Sequence, residues 1–137
     1  MNATMPESSI IPVLSYPDID LAITWLSAHF EFLERWRVGD HRAQLSFGNG
    51  AIAISKGNGA GKEQQSMSLM VRISNVQHHY ERSVAAGLTI LQKPVEFPYG
   101  EKQYTVLDIG GHVWTFSQTM REMAPEDWGA VSARHFQ

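Results

Sequence analysis

The chain has no cysteine, no long apolar run and no block of basic residues. The lack of cysteine excludes disulfides, thiolate metal sites and a cysteine nucleophile. No apolar run approaches the about 20 residues that a helix needs to span a bilayer. The net charge of -3, without clustered Lys or Arg, argues against nucleic acid as a partner. We therefore expect a cytoplasmic protein that binds neither membranes nor nucleic acid.

What the chain does have is a repeated strand pattern. In the stretch 98–119, β-forming residues alternate on both sides of the pair Gly110-Gly111, which predicts a β-hairpin with a bulge near Asp108. The stretch 43–55 has the same pattern around a Gly-Asn-Gly turn. Each hairpin is preceded by a strand, a helix and another strand. Repetition on this scale indicates an internal duplication.

Two helices with matching starts support the duplication. Apolar residues recur at helical spacing over 19–30, and Asp18 is a suitable N-cap. A second helix over 76–86 begins after Asn75 and ends before Gly87, which suits a left-handed C-terminal residue. The fold class that follows is α+β, with two tandem βαβββ modules.

The 137 residues suit one domain with short flanking segments. A Gly-rich polar stretch between the modules predicts a flexible connector. Pro125 followed by two acidic residues predicts a short helix near the C-terminus. The expected boundaries are a disordered N-terminus at 1–9, a single domain at 10–119 and a tail at 120–137. Within the domain, module one is 10–56, the linker is 57–66 and module two is 67–119.

Residues around the second glycine pair form the pattern Asp-x-x-Gly-His-x-Trp-x-Phe: Asp108, Gly111, His112, Trp114 and Phe116. Together with the tandem modules, this pattern resembles the vicinal oxygen chelate superfamily. That group includes glyoxalase I, extradiol dioxygenases, fosfomycin resistance enzymes and bleomycin resistance proteins. The resemblance implies curled mixed sheets around a cleft and a homodimer.

The resemblance also implies where a divalent metal would bind. Metal-dependent members carry His or Gln on the first strand of each module and Glu on the last. Counting from the strand-helix junctions places these positions at Ile11, Ala53, Ser68 and Thr115. None of these side chains is a useful metal ligand. The sequence therefore argues against a metal, and Pro98-Tyr99-Gly100 resembles a metal-free branch of the superfamily. We expect no metal, no cofactor and no catalytic residue of the usual kind.

Strand alternation in such a fold predicts which side chains face the cleft. A guanidinium at Arg72 would suit a carboxylate or phosphate, although a structural ion pair is the alternative. Aromatic side chains would supply flat walls, although they are also common in cores. The candidate ligand-binding residues are Ser68, Met70, Arg72, Trp36, His41, Tyr104 and Thr115.

We expect a glyoxalase/bleomycin-resistance-like protein that binds a small molecule, an antibiotic or a metabolite, without metal. One alternative is a lyase or dioxygenase with a relocated metal site that uses His41, His112 or Glu101. Another is a dimerisation module without ligand. Metal analysis and ligand screening would separate these three interpretations.

Overall fold

The structure is a computed structural model that describes residues 4–61 and 66–134. A strand, a helix and three further strands follow one another, and the same order is then repeated. The elements are β1 (Val13–Tyr16), α1 (Ile19–Phe30), β2 (Leu33–Val38), β3 (Arg42–Phe47), β4 (Gly50–Lys56), β5 (Ser68–Arg72), α2 (Val76–Ala85), β6 (Ile90–Glu96), β7 (Glu101–Leu107), β8 (Val113–Thr119) and a 3-10 turn (Pro125–Trp128). This order confirms the predicted α+β fold of tandem βαβββ modules.

The chain divides into two compact units, each built around one mixed sheet. The first unit is Met1–Met67 together with the turn Asp108–His112, and the second is Ser68–Leu107 together with Val113–Gln137. The strand orders are β1-β4-β3-β2 and β5-β8-β7-β6. In each sheet the first strand of the module runs parallel to the last, and the other neighbours are antiparallel.

Both helices begin at the predicted caps. Asp18 Oδ1 accepts a hydrogen bond from the Leu21 amide at 3.0 Å, and Asn75 Oδ1 accepts one from the His78 amide at 3.0 Å. These bonds satisfy backbone donors that have no partner inside the helix. Gly87 follows α2 with a φ of +78°, in the left-handed region that was predicted for it.

Each helix packs on the last three strands of its own module. The buried side of α1 is mostly large and apolar and consists of Ile19, Ala22, Ile23, Leu26 and Phe30. The buried side of α2 is shorter and more polar and consists of Val76, His79 and Ser83. The same module pattern therefore carries two different helix layers.

The turn between β7 and β8 contains the predicted bulge near Asp108. The Asp108 amide donates to the His112 carbonyl at 2.9 Å, and the Gly111 amide donates to the Asp108 carbonyl at 3.1 Å. Gly111 has a φ of +82°, so the three residues between Asp108 and His112 form a turn that ends in a glycine bulge. Asp108 Oδ1 also accepts hydrogen bonds from the Gly110 amide at 2.8 Å and the His112 amide at 2.9 Å, which help to hold this turn.

The same turn is held to β1 within the first unit. The Tyr16 hydroxyl donates to Asp108 Oδ2 at 2.5 Å, and His112 Nε2 lies 2.8 Å from the Ser15 carbonyl oxygen. Burial, followed by the neighbouring Asp108 carboxylate, raises the pKa of Tyr16 well above its ordinary value. Tyr16 is therefore a neutral donor to a buried carboxylate.

The first part of the Gly-rich linker makes backbone contacts that its composition does not predict. The Gly59 amide donates to Ser15 Oγ at 3.0 Å, and the Ala60 amide donates to the Gly110 carbonyl at 2.9 Å. Gly59 has a φ of +79°, and a Cβ there would lie 2.8 Å from the Gly110 oxygen. Only glycine allows so close a backbone approach, and the flexibility of the connector stays a prediction.

Three predictions fall partly outside the described residues: disorder at 1–9, of which 1–3 lie outside, the linker, of which 62–65 lie outside, and the tail, of which 135–137 lie outside. In the described part, the Thr4 carbonyl accepts a hydrogen bond from Trp36 Nε1 at 3.0 Å. No helix in residues 4–61 or 66–134 has both the length and the apolar character to cross a membrane.

Candidate functional site

The second sheet turns one face toward α2 and the other away from it. The Tyr104 hydroxyl is hydrogen-bonded to His79 and Ser83 of α2. Because side chains alternate along a strand, the neighbours of Tyr104 on β7 point away from α2. We call this side the distal face. On β5, β8 and β7 it consists of Ser68, Met70, Arg72, Val113, Thr115, Ser117, Thr119, Glu101, Gln103, Thr105 and Leu107.

Polar side chains form a continuous hydrogen-bonded row across the distal face. Ser117 Oγ donates to Glu101 Oε1 at 2.7 Å and lies 3.0 Å from Gln103 Nε2, which donates to it. Gln103 Oε1 accepts from the Tyr99 hydroxyl at 3.3 Å. An amide and a hydroxyl that are engaged on both sides have a set orientation. The row is therefore held in place by its own side chains.

Beside the row, β5 contributes an exposed apolar and an exposed charged side chain. Met70 is 64% exposed, and its Sδ lies 3.9 Å from Gln103 Nε2. Arg72 is exposed and pairs in register with Ser117. Small-molecule sites combine apolar surface with a few placed polar groups. The distal face offers both kinds of group on one sheet.

The polar row is also tied to the C-terminal segment through Tyr99. The Tyr99 ring stacks on Phe97 with centroids 5.3 Å apart and contacts the Trp128 ring at 5.3 Å. The next residue, Gly100, accepts a hydrogen bond at its carbonyl from the Met120 amide at 2.8 Å. Residues after β8 therefore help to position one end of the row.

The structure brings together four of the residues predicted from the sequence: Ser68, Met70, Arg72 and Thr115 lie on the distal face. Thr115 Oγ1 is hydrogen-bonded to Thr105 Oγ1 at 3.0 Å. Trp36 and His41 belong to the first unit. Trp36 is half-buried on β2, and His41 is exposed in the turn before β3, beside Asp40.

The prediction for Tyr104 is wrong. This side chain is fully buried and points to α2, where its hydroxyl is bonded to His79 and Ser83. Burial raises the pKa of Tyr104 to about 12. A buried phenol with two polar partners is a structural residue and cannot form a wall of the distal face.

The residues at the four family positions do not fit a divalent metal. Ser68 and Thr115 offer neutral hydroxyls, and Ile11 and Ala53 offer no donor atom at all. Divalent metals in proteins are held by imidazole and carboxylate groups. Over the described ranges, no three His, Asp or Glu side chains come together as a possible ligand set. Glu101 is the one carboxylate on the distal face as defined above.

The sequence did not predict that the side chains of the polar row bond to one another. The alternation of 112–117 places Ser117 on this side, but nothing in that pattern indicates that Glu101 and Gln103 meet it. Their meeting depends on the register of β7 against β8, in which Gln103 pairs with Ser117 and Glu101 with Thr119. Register in a hairpin is set by the exact geometry of its turn, which strand alternation alone does not determine.

Searches with protein-family models and among curated proteins gave no match. Solved structures do match. TioX from Micromonospora sp. ML1 is 30% identical over 85% of this chain and 100% of its own, with a TM-score of 0.67. A glyoxalase/bleomycin resistance protein/dioxygenase from Nocardioides is 12% identical over 93% of both chains, with a TM-score of 0.68. The fosfomycin resistance protein FosX from Mesorhizobium loti is 17% identical over 83% of this chain and 93% of its own, with a TM-score of 0.64.

The repeated element order and the two mixed sheets define a protein of tandem βαβββ modules. The matched solved structures identify the superfamily within this class. The chain belongs to the vicinal oxygen chelate superfamily, the group of glyoxalase, bleomycin resistance and dioxygenase proteins that its last hairpin resembles.

Proposed function

We propose that this protein binds a small molecule, an antibiotic or a metabolite, on the distal face without the help of a metal. The residues that contact the ligand in this proposal are Ser68, Met70, Arg72 and Thr115. Trp36 and His41 remain predicted contacts from the first unit. A homodimer and a cytoplasmic location, which the family resemblance and the composition predict, belong to the same proposal.

One observation carries the proposal: the four positions where the family places metal ligands hold Ile11, Ala53, Ser68 and Thr115. Two of these side chains have no donor atom, and the other two are neutral hydroxyls. The exposed side chains of Met70 and Arg72 support binding, because they supply apolar contact and directed hydrogen bonds on one face.

The test is a binding screen of purified protein treated with EDTA, by native mass spectrometry, against antibiotics and metabolites. We expect at least one compound to bind at one per protomer without added metal. The change Met70→Ser should lower the affinity for that compound about tenfold, since burying a methionine side chain under the ligand contributes about 1.5–3 kcal/mol. Leu21→Ser is the control, because Leu21 is 51% exposed on α1.

Other outcomes would contradict the proposal. Binding or turnover that requires added nickel, zinc, iron or manganese would support the relocated-metal enzyme. The absence of any binder, in a protein that is dimeric by light scattering, would support the dimerisation module. Equal effects of the Met70 and Leu21 changes would place the ligand away from the distal face.

A further inference from the structure

Two opposite charges on the distal face have no ionic partner. Arg72 is exposed on β5, and Glu101 is half-buried at the start of β7. In the described part of the chain, neither side chain forms a salt bridge, although Arg37 and Lys56 of the first unit do. The only hydrogen bond that Glu101 makes through its carboxylate in that part is the one from Ser117.

The sheet register places these two charges on either side of one serine. Arg72 lies opposite Ser117 on the neighbouring strand, and neighbouring strands are about 4.8 Å apart. On the other side, Glu101 Oε1 lies 2.7 Å from Ser117 Oγ. The contact of Gln103 with Met70 shows that β5 and β7 turn these side chains to the same face. A cation and a carboxylate therefore flank Ser117 on one surface.

We propose that the small molecule bound on the distal face is a zwitterion, such as an amino-acid or peptide derivative. This inference rests on the proposed function and names its ligand class. The planar guanidinium of Arg72 suits a carboxylate, to which it can donate two parallel hydrogen bonds. The Glu101 carboxylate suits an ammonium group. The exposed Met70 gives an adaptable apolar contact for a side chain of the ligand.

A ligand with one charge would fit this surface less well. Covering the face with such a ligand would take either Arg72 or Glu101 partly out of water without a partner. A desolvated charge that loses its hydrogen bonds is costly, whereas the same charge with a partner is not. The arrangement thus favours a ligand with both charges over each singly charged form.

The test uses four forms of one compound: the dipeptide phenylalanyl-alanine, its N-acetyl form, its C-terminal amide, and the form blocked at both ends. Affinity is measured by titration of nitrogen-15-labelled protein, and the shifted backbone amides locate the site. We expect the free dipeptide to shift amides of β5, β7 and β8. Each blocked form should bind about tenfold more weakly, since a hydrogen bond to a charged group is worth about 1.5–3 kcal/mol.

Two variants separate the charges. Arg72→Gln should lower the affinity for the free dipeptide about tenfold. It should leave the affinity for the C-terminal amide unchanged, because that form has no carboxylate for Arg72 to bind. Glu101→Gln should weaken the free dipeptide and leave the N-acetyl form unchanged, and its amide can still accept from Ser117. Arg82→Gln is the charge-matched control, because Arg82 lies on α2, on the other side of the sheet.

The outcomes keep the two proposals apart. If the doubly blocked dipeptide binds the distal face as tightly as the free one, the zwitterion inference is overturned and the proposed function stands. The same holds if only uncharged compounds from the screen shift β5, β7 and β8. If no dipeptide form and no screened compound shifts these strands, both proposals are overturned.

Discussion

The two helix layers occupy the same place in their modules, but the large buried side chain comes from a different element in each. Counting from the N-caps Asp18 and Asn75, Leu26 of α1 corresponds to Ser83 of α2. Counting from the strand partners, Ala43, which pairs with Ile54, corresponds to Tyr104, which pairs with Phe116. In the first unit the helix supplies the large side chain, and in the second the strand does. All four side chains are almost completely buried.

This exchange explains why the second layer is polar. A tyrosine that replaces an alanine brings a hydroxyl into the interior, and a buried hydroxyl needs a partner. Ser83 and His79 provide it from α2, where α1 has Leu26 and Ala22. The comparison shows that in a duplicated module the large buried side chain can come from the helix or from the strand, and that a hydrogen-bonded cluster can replace apolar contact.

The largest expected effect comes from removing bulk where the helix supplies it. Leu26→Ala should lower the free energy of unfolding by about 3 kcal/mol, because it leaves a cavity in an apolar layer. The corresponding change Ser83→Ala should cost about 1 kcal/mol, because it removes one hydrogen bond and little volume. Urea unfolding followed by circular dichroism measures both.

Leu21→Ala is the control for this pair, since Leu21 is 51% exposed on the same helix as Leu26. It should change the free energy of unfolding by less than about 0.5 kcal/mol. Equal costs for the Leu26 and Ser83 changes would show that the two layers do not differ in the way described.

A smaller effect is expected at the buried tyrosine of the first unit. Tyr16→Phe should lower the free energy of unfolding by about 2 kcal/mol, because the Asp108 carboxylate, which is 6% exposed, loses its phenolic donor. Tyr80→Phe is the matched control, because the Tyr80 ring packs on Tyr104 and its hydroxyl has no hydrogen bond within residues 4–61 and 66–134. If Tyr16→Phe costs no more than that control, the Asp108 carboxylate does not depend on this donor.

The smallest expected effect is at the buried tyrosine of the second unit. Tyr104→Phe should cost about 1 kcal/mol, less than Tyr16→Phe, because its partners His79 and Ser83 are an imidazole and a hydroxyl rather than a carboxylate. Chemical denaturation at pH 8 compares the two variants directly. If Tyr104→Phe lowered the free energy of unfolding more than Tyr16→Phe, the expected order of the two hydroxyls would be wrong.

The pH dependence of stability gives a second test of the buried Tyr104 hydroxyl. Burial raises the pKa of Tyr104 to about 12, from its ordinary value of 10.0. The unfolded chain therefore releases this proton first, so the contribution of Tyr104 to stability is complete below pH 10 and is lost as the pH rises toward 12. Wild-type stability should fall over this range, and the fall should be smaller in Tyr104→Phe. An unchanged fall would show that other groups cause it.

Local patterns were enough to predict the elements. Asp18 and Asn75 cap their helices as expected, because a short polar side chain before an apolar repeat satisfies the first helical amides whatever surrounds it. The alternation of 112–117 correctly predicted Trp114 and Phe116 as buried. Contacts between distant segments were not predicted: the Gly59 amide meets Ser15, and a composition rich in glycine gave no sign of it.

The sequence by itself determined the duplicated fold, because helix caps, strand alternation and glycine turns act over a few residues. It also determined the types of side chain at the family's metal positions. Only the tertiary structure decided that Glu101, Ser117 and Gln103 form one row and that Tyr104 turns to α2. The physical reason is that these meetings depend on strand register and on which layer supplies the bulk, and both are set by packing across the whole sheet.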